Sequence, residues 1–585
     1  MTIAQTSERR PRKPLRLWPG VVAVVLLWLA RFGIKAIVPG FKGFALSAQG
    51  GLIGAVAVAV WWVFFSRAAW AERLGAIVLM IAAMGATWSL KHESMGPFWL
   101  FTYAIPVLCL AFVAWAVASR RLADGPRRAM MVATVVIACG VWTLVRTDGI
   151  TGDHVAKFAW RWTKTPEEKV VAQAGDKPAS LAPAPAVTKT GAGPAMSEPG
   201  FTRVEWPGFR GPQRDGMIRG VRIETNWSAL PPVELWRRPV GPGWSSFAVR
   251  GNLLYTQEQR SDDEVVACYN ATTGQPVWTH RDSARFFESN AGAGPRATPT
   301  LSHDRVYTFG ATGILNALDA GDGTVVWSRN VTSDNGPQVP YWGFSSSPLV
   351  IDDLVIVAAA GQLLAYDLAT GNPRWSGPAG EGYSSPQLVT IDGVAQILLM
   401  SGAGATSVAP ADGKVLWQHP WKGSPIVQPA VTADGDVLIV ASAGSGTRRI
   451  AVAHGPRDWT VEERWTSIGL KPYFNDFVVH KGHAFGFDGR ILACINLEDG
   501  QRKWKGGRYG NGQLVLLPDQ DLMLVLSEEG ELALVKATPD QFTELARFPA
   551  ALEGKTWNHP VLVGDVLLVR NGQEMAAFRL SLAGR

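Results

Sequence analysis

The sequence predicts an all-β propeller of eight blades, preceded by an α-helical transmembrane domain of five spans. Two observations carry this prediction. Residues 17 to 147 are dominated by Val, Ala, Leu, Trp and Met, and they divide into five apolar segments. Beyond residue 200 the chain is rich in Gly and Pro, and a phrase that ends in tryptophan recurs there at intervals in the forties. Such a period, with short strand-like runs, is typical of propeller blades.

The apolar half is predicted to be a helical membrane domain over 17–147. Each segment is close to the roughly 20 residues that cross the hydrocarbon of a bilayer. A secretory signal peptide would account for the first segment alone. Arg31 and Lys35 interrupt that segment near its outer end, where long side chains can reach the interface or contact a quinone or a lipid headgroup. The segments fall at about 17–38, 45–66, 73–90, 97–119 and 127–146.

The distribution of Lys and Arg predicts the orientation. The basic tail over 1–16 and the loops near residues 67–73 and 120–128 hold eleven cations against three acidic residues. The net charge of these segments is +8, whereas that of the whole chain is +7, so the rest of the chain carries about −1. The positive-inside rule then places the N-terminus in the cytoplasm and, after five crossings, the repeat half in the periplasm of a bacterial inner-membrane protein. A nucleic acid partner is not expected, because the repeat half has no basic face.

Two segments connect the halves. Residues 148–174 are predicted to form a juxtamembrane helix, in which Trp160 and Trp162 suit the membrane interface. Residues 175–200 are rich in Ala, Pro and Gly and have nothing with which to bury a core, so we expect a semi-extended linker there. The propeller is then expected to occupy 201–585.

The recurring phrase has the properties of a β-hairpin that ends in an indole. A short strand leads into an Asn or Asp turn, a glycine supplies positive φ, and a second strand leaves toward a tryptophan that packs between sheets. The copies are ACYNATTGQPVW (267–278), NALDAGDGTVVW (316–327), LAYDLATGNPRW (364–375), SVAPADGKVLW (407–417) and ACINLEDGQRKW (493–504).

The number of copies predicts the number of blades. Four strand-like runs precede each repeat of the indole, and the first complete unit begins at Ser245. The last unit lacks an outer strand, whereas VELWRRPV (233–240) is an outer strand without a unit, so joining the two closes the ring. Seven blades remain an alternative if the unit containing LIVASAGSGTRRIAVAHG (438–455) is not a true blade. Tryptophan or its substitute recurs at 236, 278, 327, 375, 417, 465, 504 and Phe548.

The phrase, best seen in AYDLATGNPRW (365–375), resembles the quinoprotein (PQQ-type) propeller repeat. That repeat builds pyrroloquinoline-quinone dehydrogenases and also non-catalytic propellers such as the outer-membrane assembly factor BamB. The resemblance covers about residues 200–582. WPGFRGPQRDGM (206–217) is similar to the segment that opens many bacterial PQQ-like propeller proteins of unassigned role. Five spans before a periplasmic propeller also resemble the layout of membrane-bound glucose dehydrogenase.

The dehydrogenase branch of this resemblance implies PQQ with Ca²⁺ as the cofactor. Those enzymes hold the ion with Glu, Asn and Asp beside the quinone and use an Asp as base, and the alcohol-oxidising branch carries two adjacent cysteines. This chain has four cysteines, none of them adjacent, and a shorter propeller. No Glu, Asn and Asp set aligns onto numbered positions, so no metal ligand and no catalytic residue is predicted.

A ligand site, if present, is expected in the funnel formed by the loops that lead into the inner strands. Aromatic faces there suit stacking and arginines suit carboxylates, as a flat anionic ligand or the terminus of a peptide or polysaccharide would require. Alternatively, the aromatics only pack the turns around a water-filled channel. Asp476 and His559 are the one convergent titratable pair. The candidates are Trp244, Arg296, Trp342, Tyr383, Tyr473, Asn475, Asp476, Arg508, Tyr509, Asn511, Trp557, Asn558 and His559.

Two functions are compatible with these patterns. The first is a membrane-anchored periplasmic PQQ-like propeller that acts as a binding or scaffolding module, with the bilayer and a periplasmic or envelope protein as partners. The alternative is a PQQ-dependent dehydrogenase that oxidises a sugar or alcohol and passes electrons to membrane quinone. The departures from the dehydrogenase pattern favour the first.

Overall fold

A computed structural model describes residues 15–38, 40–151, 155–173, 205–335, 337–549 and 551–584. The chain divides into a helical unit, Met1–Thr163 with Ser289–Gly292, and a β unit, Lys164–Glu288 with Ala293–Arg585. The predicted linker over 175–200 lies outside the described residues, as does the predicted basic tail up to residue 14.

Four helices of the first unit are long and apolar enough to cross a membrane, rather than the predicted five. They are Trp18–Ile37, Gly43–Phe65, Trp70–Leu90 and Pro97–Arg121. The fifth predicted segment forms the helix Asp124–Gly140, which has 17 residues and continues as a 3₁₀ turn over Val141–Thr143. It carries Asp124, Arg127 and Arg128 in its first turns, and the chain enters a strand at Val145. The helices of the first unit are Trp18–Trp28, Leu29–Gly33 (π), Ile34–Ile37, Gly40–Val60, Trp61–Phe65 (π), Trp70–Leu90, Pro97–Ala118, Ser119–Arg121 (3₁₀) and Asp124–Gly140.

Arg31 does not reach out of the first helix toward an interface, so that prediction is wrong. Its side chain is 1% exposed. Arg31 Nε donates to the carbonyl oxygen of Thr102 at 3.3 Å, and its guanidinium lies 4.8 Å from the ring centroid of Tyr103. A carbonyl and an aromatic face from a neighbouring helix therefore hold the cation inside the helical unit.

The predicted juxtamembrane helix over 148–174 is wrong for its first half. Strands Val145–Ile150 and Ala156–Trp160 pair as an antiparallel hairpin. Of the described residues in this range, Pro166–Gln173 are helical. There Glu168 Oε2 accepts the Thr165 N–H at 2.8 Å, and the Thr165 hydroxyl accepts the Glu168 N–H at 3.1 Å. This reciprocal capping box starts the helix after the hairpin. The β-branched and aromatic residues before it favour the strands of the hairpin.

The second unit contains eight four-stranded antiparallel sheets, which confirms the predicted eight-bladed propeller. The unit that might have been degenerate is blade 5, and its four strands pair in order. Numbered from the innermost strand, blades 1 to 4 are Ala248–Arg250, Leu253–Arg260, Asp263–Asn270 and Pro276–Asp282; Thr300–Ser302, Arg305–Phe309, Ile314–Asp319 and Val325–Asn330; Leu349–Ile351, Leu354–Ala359, Gln362–Asp367 and Pro373–Ser376; and Gln387–Ile391, Val394–Ser401, Gly404–Val408 and Val415–Pro420.

The chain's first long propeller strand closes the ring, as predicted. Val233–Pro239 pairs with Glu574–Arg579 and supplies the outer strand of blade 8. A closed ring leaves no sheet edge between its first and last blades. Blades 5 to 8 are Ala430–Val431, Val437–Ile439, Thr447–His454 and Trp459–Ser467; Val478–His480, His483–Asp488, Ile491–Asn496 and Arg502–Arg508; Gln513–Leu517, Leu522–Leu526, Leu532–Lys536 and Glu544–Phe548; and Val561–Val563, Val566–Arg570, Glu574–Arg579 and Val233–Pro239. Two further elements are the hairpin Phe287–Glu288 with Gly292–Ala293 and the short helix Val331–Asn335.

In six of the eight blades the repeated tryptophan donates to the hairpin turn of the next blade. Trp327 Nε1 of blade 2, for example, donates to the carbonyl oxygen of Leu368 in blade 3 at 3.0 Å. Gly371 of that turn has φ +70°, and a Cβ added there would meet the Trp327 ring at 2.6 Å. The glycine of the phrase therefore does two things, because it permits the left-handed turn and makes room for the indole. Equivalent indole bonds run from Trp236, Trp278, Trp375, Trp465 and Trp504. In blade 4, Trp417 donates instead to Gln396 Oε1 of its own blade at 2.7 Å, and blade 7 has Phe548 at this position.

Gly371→Ala should separate these two roles. We expect a loss of about 2–3 kcal/mol in the free energy of unfolding, since the methyl group adds a clash with the Trp327 ring to the backbone strain. Gly393→Ala is the matched control: φ is +76° there, but nothing lies within 4 Å of an added Cβ. It should cost only about 1–2 kcal/mol. Equal losses in urea titrations of the two variants would contradict the docking role of the turn.

Candidate functional site

A belt of hydrogen bonds runs around the propeller axis where the inner strands begin. In each of five links, a backbone N–H donates to the side-chain oxygen of the equivalent residue in the next blade, at 2.7 to 3.0 Å. The participating side chains are all buried. The belt ties blades 1 to 6 together with one short polar residue per blade. Its members, in order, are Ser246, Thr298, Ser347, Ser385, Gln428 and Asp476.

Asp476, the last member of this belt, is neutralised by the chain itself. Its Oδ1 accepts the Gln428 N–H at 2.9 Å and lies 3.7 Å from Arg210 Nη1. Its Oδ2 lies 3.3 Å from His559 Nε2 of blade 8. Burial alone would raise the pKa of Asp476, but the charge of Arg210 and the approach of His559 lower it below its ordinary value. Asp476 and His559 thus converge as predicted, within an ion-paired and hydrogen-bonded cluster.

Arg210 reaches this cluster because the segment Trp206–Met217 crosses the inner strands. Trp206 bridges to Val249 of blade 1, and Met217 bridges in parallel to Leu516 of blade 7. Between them, Arg210 Nη2 donates to the carbonyl oxygen of Phe477 in blade 6 at 2.7 Å. Arg214 extends the same segment to blade 3, whose Ser347 and Pro348 carbonyl oxygens accept its guanidinium at 3.1 and 2.9 Å.

Aromatic side chains gather in two groups at the mouth of the funnel. In one, the Trp557 ring lies 4.8 Å from that of Trp244 and 4.7 Å from that of Phe474, which in turn contacts Tyr473. These four side chains are partly exposed. In the other, Trp342 and Tyr383 lie 4.9 Å apart, between centroids. Both groups present aromatic surface to solvent and can take part in binding.

Arg296 stands beside the second aromatic group and is already engaged. It donates to the carbonyl oxygens of Trp342 and Ala293, each at 3.2 Å, and to Glu288 Oε1 at 3.3 Å. Burial lowers the pKa of Arg296 to about 10, against the opposing effect of Glu288. The guanidinium therefore positions the loops of the funnel.

Two predicted site residues, Tyr509 and Asn511, serve the packing of blades 6 and 7. The Tyr509 hydroxyl donates to Glu544 Oε2 at 2.5 Å from within the core. Asn511 donates its N–H to Glu528 Oε2 at 3.0 Å, and Arg508 is exposed at the end of an outer strand. Asn475 and Asn558 are fully buried at the starts of the inner strands of blades 6 and 8, where Asn558 Nδ2 donates to the carbonyl oxygen of Ser245 at 2.7 Å.

Glu264 is a second buried carboxylate, at the junction of blades 1 and 2. It accepts the Ala311 N–H at 3.0 Å and the Thr312 hydroxyl at 3.1 Å. Burial, with a smaller contribution from Asp282, raises the pKa of Glu264 from 4.5 to about 7 in spite of these bonds. The side chain is therefore neutral in acid and becomes a buried anion near neutral pH.

This raised pKa predicts a pH-dependent stability. The folded chain holds its proton more tightly than the unfolded chain, so the contribution is complete below about pH 4.5 and is lost as pH rises through about 7. We expect a decrease of about 3 kcal/mol between pH 4.5 and pH 8. Glu264→Gln should remove this decrease, whereas Glu498→Gln at an exposed turn should keep it. An unchanged pH profile of unfolding in Glu264→Gln would contradict the assignment.

The described residues do not fit a Ca²⁺-held quinone. Among them, no group of three or more His, Cys, Asp or Glu side chains is placed to hold a metal ion. Asp476, the one carboxylate in the belt, is engaged by Arg210, Gln428 and His559. Calcium takes six to eight oxygen ligands, which a single ion-paired carboxylate does not supply.

Sequence reasoning missed Arg210, Arg214 and the belt. WPGFRGPQRDGM was recognised as a distinctive segment, but nothing local indicates that its arginines reach blades 3 and 6. The belt left a signal that could have been found, because aligning the starts of the inner strands places Ser246, Ser347 and Ser385 in register.

Comparison with known proteins identifies the repeat. A family profile described as outer membrane protein assembly factor BamB matches residues 233–385 and 393–513. BamB of Yersinia pestis is 23% identical over 334 residues, which cover 54% of this chain and 72% of that protein. BamB of Shewanella oneidensis is 28% identical over 156 residues, 25% of this chain and 36% of that protein. This chain thus spans about a third of the Shewanella protein. Quinohemoprotein alcohol dehydrogenase from Comamonas testosteroni superposes with a TM-score of 0.48 at 12% identity, over 64% of this chain and 80% of that one.

Proposed function

Because the repeat half is a PQQ-like β-propeller, we propose that the chain is a membrane-anchored binding module that holds its propeller in the bacterial periplasm. The funnel with its partly exposed aromatics is the proposed ligand-facing surface, and an envelope protein or polymer is the proposed class of partner. The name of the matched relatives, an outer membrane assembly factor, supports a partner in the envelope.

One observation carries the choice of binding over catalysis. Among the residues that the structure describes, Asp476 is the only carboxylate that meets a histidine at the start of the inner strands, and Arg210 already lies 3.7 Å from it. A general base must be able to accept a proton near the operating pH. The ion pair lowers the pKa of Asp476 instead, which makes the carboxylate a weaker base. Its role is therefore to hold blades 5, 6 and 8 together.

The proposed topology depends on the helix Asp124–Gly140. With four crossings the propeller would share the side of the N-terminus, and a fifth crossing places it on the opposite side. Ile137 of this helix is apolar and 70% exposed, as lipid contact requires. The other helices expose apolar residues to a similar extent, 65–70%, at Ile53, Val78 and Ile81. Helix and 3₁₀ turn together run from Asp124 to Thr143, about the length that crosses a bilayer.

Reporter fusions test this topology. Alkaline phosphatase fused after Leu122 should be inactive, because that loop is cytoplasmic in the proposed arrangement. The same enzyme fused at the C-terminus should be active, because it folds only after export. A fluorescent protein that matures only in the cytoplasm should give the reverse pattern. Inactive phosphatase at both positions would mean that Asp124–Thr143 does not cross, and it would place the propeller in the cytoplasm.

The proposed role itself is tested by two experiments on the full-length chain. Chemical cross-linking in intact cells, followed by purification, should recover a specific envelope partner, and Trp557→Ala should weaken that recovery. Separately, the purified chain incubated with PQQ and Ca²⁺ should reduce no artificial dye with sugars or alcohols. Substrate-dependent turnover would overturn the proposal in favour of the dehydrogenase alternative, whereas failure to recover any partner would remove the support for a binding module.

A further inference from the structure

A groove of about 1260 Å³ runs along the inner strands of blades 4, 5 and 6, and none of the aromatic funnel residues lines it. The funnel residues are in loops that precede those strands. The groove is lined by the inner strands of blades 4, 5 and 6 and by the turns that follow them, including Thr390, Val431 and His480. Its volume exceeds the roughly 300–1,000 Å³ of pockets that enclose small molecules. The space therefore suits a segment of a polymer.

The innermost strand of blade 4 offers this groove a free edge. Gln387–Ile391 pairs with Val394–Ser401 on one side only. Among the described residues, no backbone hydrogen bond joins its other edge to a second element. Leu388 and Thr390 are exposed, whereas the alternate residues are buried. An unpaired edge of this kind is a template for another extended chain.

The chain already uses the same mode of pairing elsewhere on the axis. Its own segment Gly216–Ile218 lies alongside the innermost strand of blade 7. There the Ile218 N–H donates to the carbonyl oxygen of Leu516 at 2.8 Å, and the Leu516 N–H donates to that of Gly216 at 2.9 Å. Met217 of this segment forms part of the groove wall, so the groove is continuous with an existing strand-addition interface.

A buried amide beside the free edge points independently to a ligand. Gln387 lines the groove and is 8% exposed. Its Oε1 has no hydrogen-bond partner in the described part of the chain. A buried acceptor left without a donor costs about 1–3 kcal/mol. The N–H of an added peptide would supply that donor.

The remaining lining defines the side chains that such a peptide should carry. Val389, Val431 and Val479 contribute apolar surface. Asp434 and Arg464, whose side chains are 63% and 55% exposed, contribute charges of both signs. A strand places successive side chains on opposite faces, so alternating apolar and polar residues would meet both kinds of surface.

We propose that this groove binds an extended polypeptide segment of a partner protein, which adds as a strand to the innermost strand of blade 4. The segment has alternating apolar and polar residues. This inference rests on the proposed binding role but assigns it a second surface, distinct from the aromatic funnel. Backbone pairing gives the affinity, and the valines select the apolar positions.

Cysteine protection in the full-length, detergent-solubilised chain tests the proposal. The four native cysteines are all buried, so a cysteine introduced by Thr390→Cys can be labelled selectively with a maleimide. The probe is the capped peptide Lys-(Thr-Val)₄-Lys at saturating concentration. We expect it to slow labelling of Thr390→Cys at least tenfold and to leave Thr324→Cys, in an exposed turn of blade 2, unchanged.

A peptide N-methylated at alternate bonds has the same side chains but cannot pair along one edge, and it should protect at least tenfold less. Equal protection by the two peptides would overturn strand addition. No protection, or protection of Thr324→Cys as well, would overturn the site. Slow labelling of Thr390→Cys without any peptide would mean that the chain fills its own groove, and it would overturn the proposal that a partner protein binds there. If Thr390→Cys does not fold, fluorescence anisotropy of labelled peptide with the wild-type chain and Thr390→Trp replaces the assay, and equal affinities overturn the proposal. Cross-linking in cells reports on the proposed function separately.

Discussion

Arg570→Met should remove about 3–5 kcal/mol from the free energy of unfolding of the propeller, because it leaves buried acceptors without a donor at the junction that closes the ring. Arg570 extends from blade 8 into blade 1 and is fully buried. Its guanidinium donates to the carbonyl oxygens of Gln257 and Gly241 at 3.0 and 3.1 Å, and also to the Thr256 hydroxyl.

The charge of Arg570 also supports a buried anion. Glu258 of blade 1 accepts Arg260 Nη2 at 2.6 Å and the Tyr269 hydroxyl at 2.7 Å, as well as the N–H of Gly241. Burial opposes its ionisation, but Arg260, Tyr269 and then Arg570 lower the pKa of Glu258. Removing one of these cations weakens the compensation for a buried charge.

Arg579→Met in the adjacent strand is the matched control. Arg579 is 51% exposed and lies 3.5 Å from Asp565. An exposed pair of this kind contributes about 0–1 kcal/mol. Both variants are measured by denaturant unfolding of the solubilised full-length chain, followed by the circular dichroism of its sheets. A loss in Arg570→Met no larger than that in Arg579→Met would show that the guanidinium does not hold the ring closed.

Asp476→Asn should cost a similar 3–5 kcal/mol. The amide oxygen can still accept the Gln428 N–H, so the belt persists. The charge that compensates buried Arg210 is lost, and an uncompensated buried cation is strongly destabilising. Asp353→Asn, which removes a 67% exposed partner of Arg374, should change stability by less than about 1 kcal/mol.

A double variant identifies the cause of this loss. Arg210→Met combined with Asp476→Asn removes both charges, and we expect it to be more stable than Asp476→Asn alone. The wild type should also lose stability in acid. Because the folded pKa of Asp476 is lowered, its contribution is present above the ordinary pKa and is lost as pH falls through the lowered one. If the double variant is less stable than Asp476→Asn alone, loss of the ion pair with Arg210 does not explain the instability of Asp476→Asn.

The errors of the sequence predictions have specific physical causes. Arg31 was expected to reach an interface because hydropathy treats each helix alone, whereas the Thr102 carbonyl and the Tyr103 ring of another helix hold it. A juxtamembrane helix was expected over 148–174, but Val145–Ile150 and Ala156–Trp160 pair as a hairpin in the first half of that range. Pairing across that hairpin is not visible in a sum of residue hydropathies.

The order of the blades and the closure of the ring were predicted from the sequence, which left their number at eight or seven. The paired strands of blade 5 decide for eight. Each blade except the eighth is built from neighbours in the chain, so its turns and its alternating strands appear within about 40 to 50 consecutive residues. Blade 8 takes its outer strand, Val233–Pro239, from the start of the propeller. What only the tertiary structure decided are the contacts across the ring. Arg210 and its acceptor Phe477 are 267 residues apart, and Arg570 and the Gly241 carbonyl are 329 apart. A local pattern specifies a local hairpin, but a buried ion finds its partner only when the closed ring brings distant blades together.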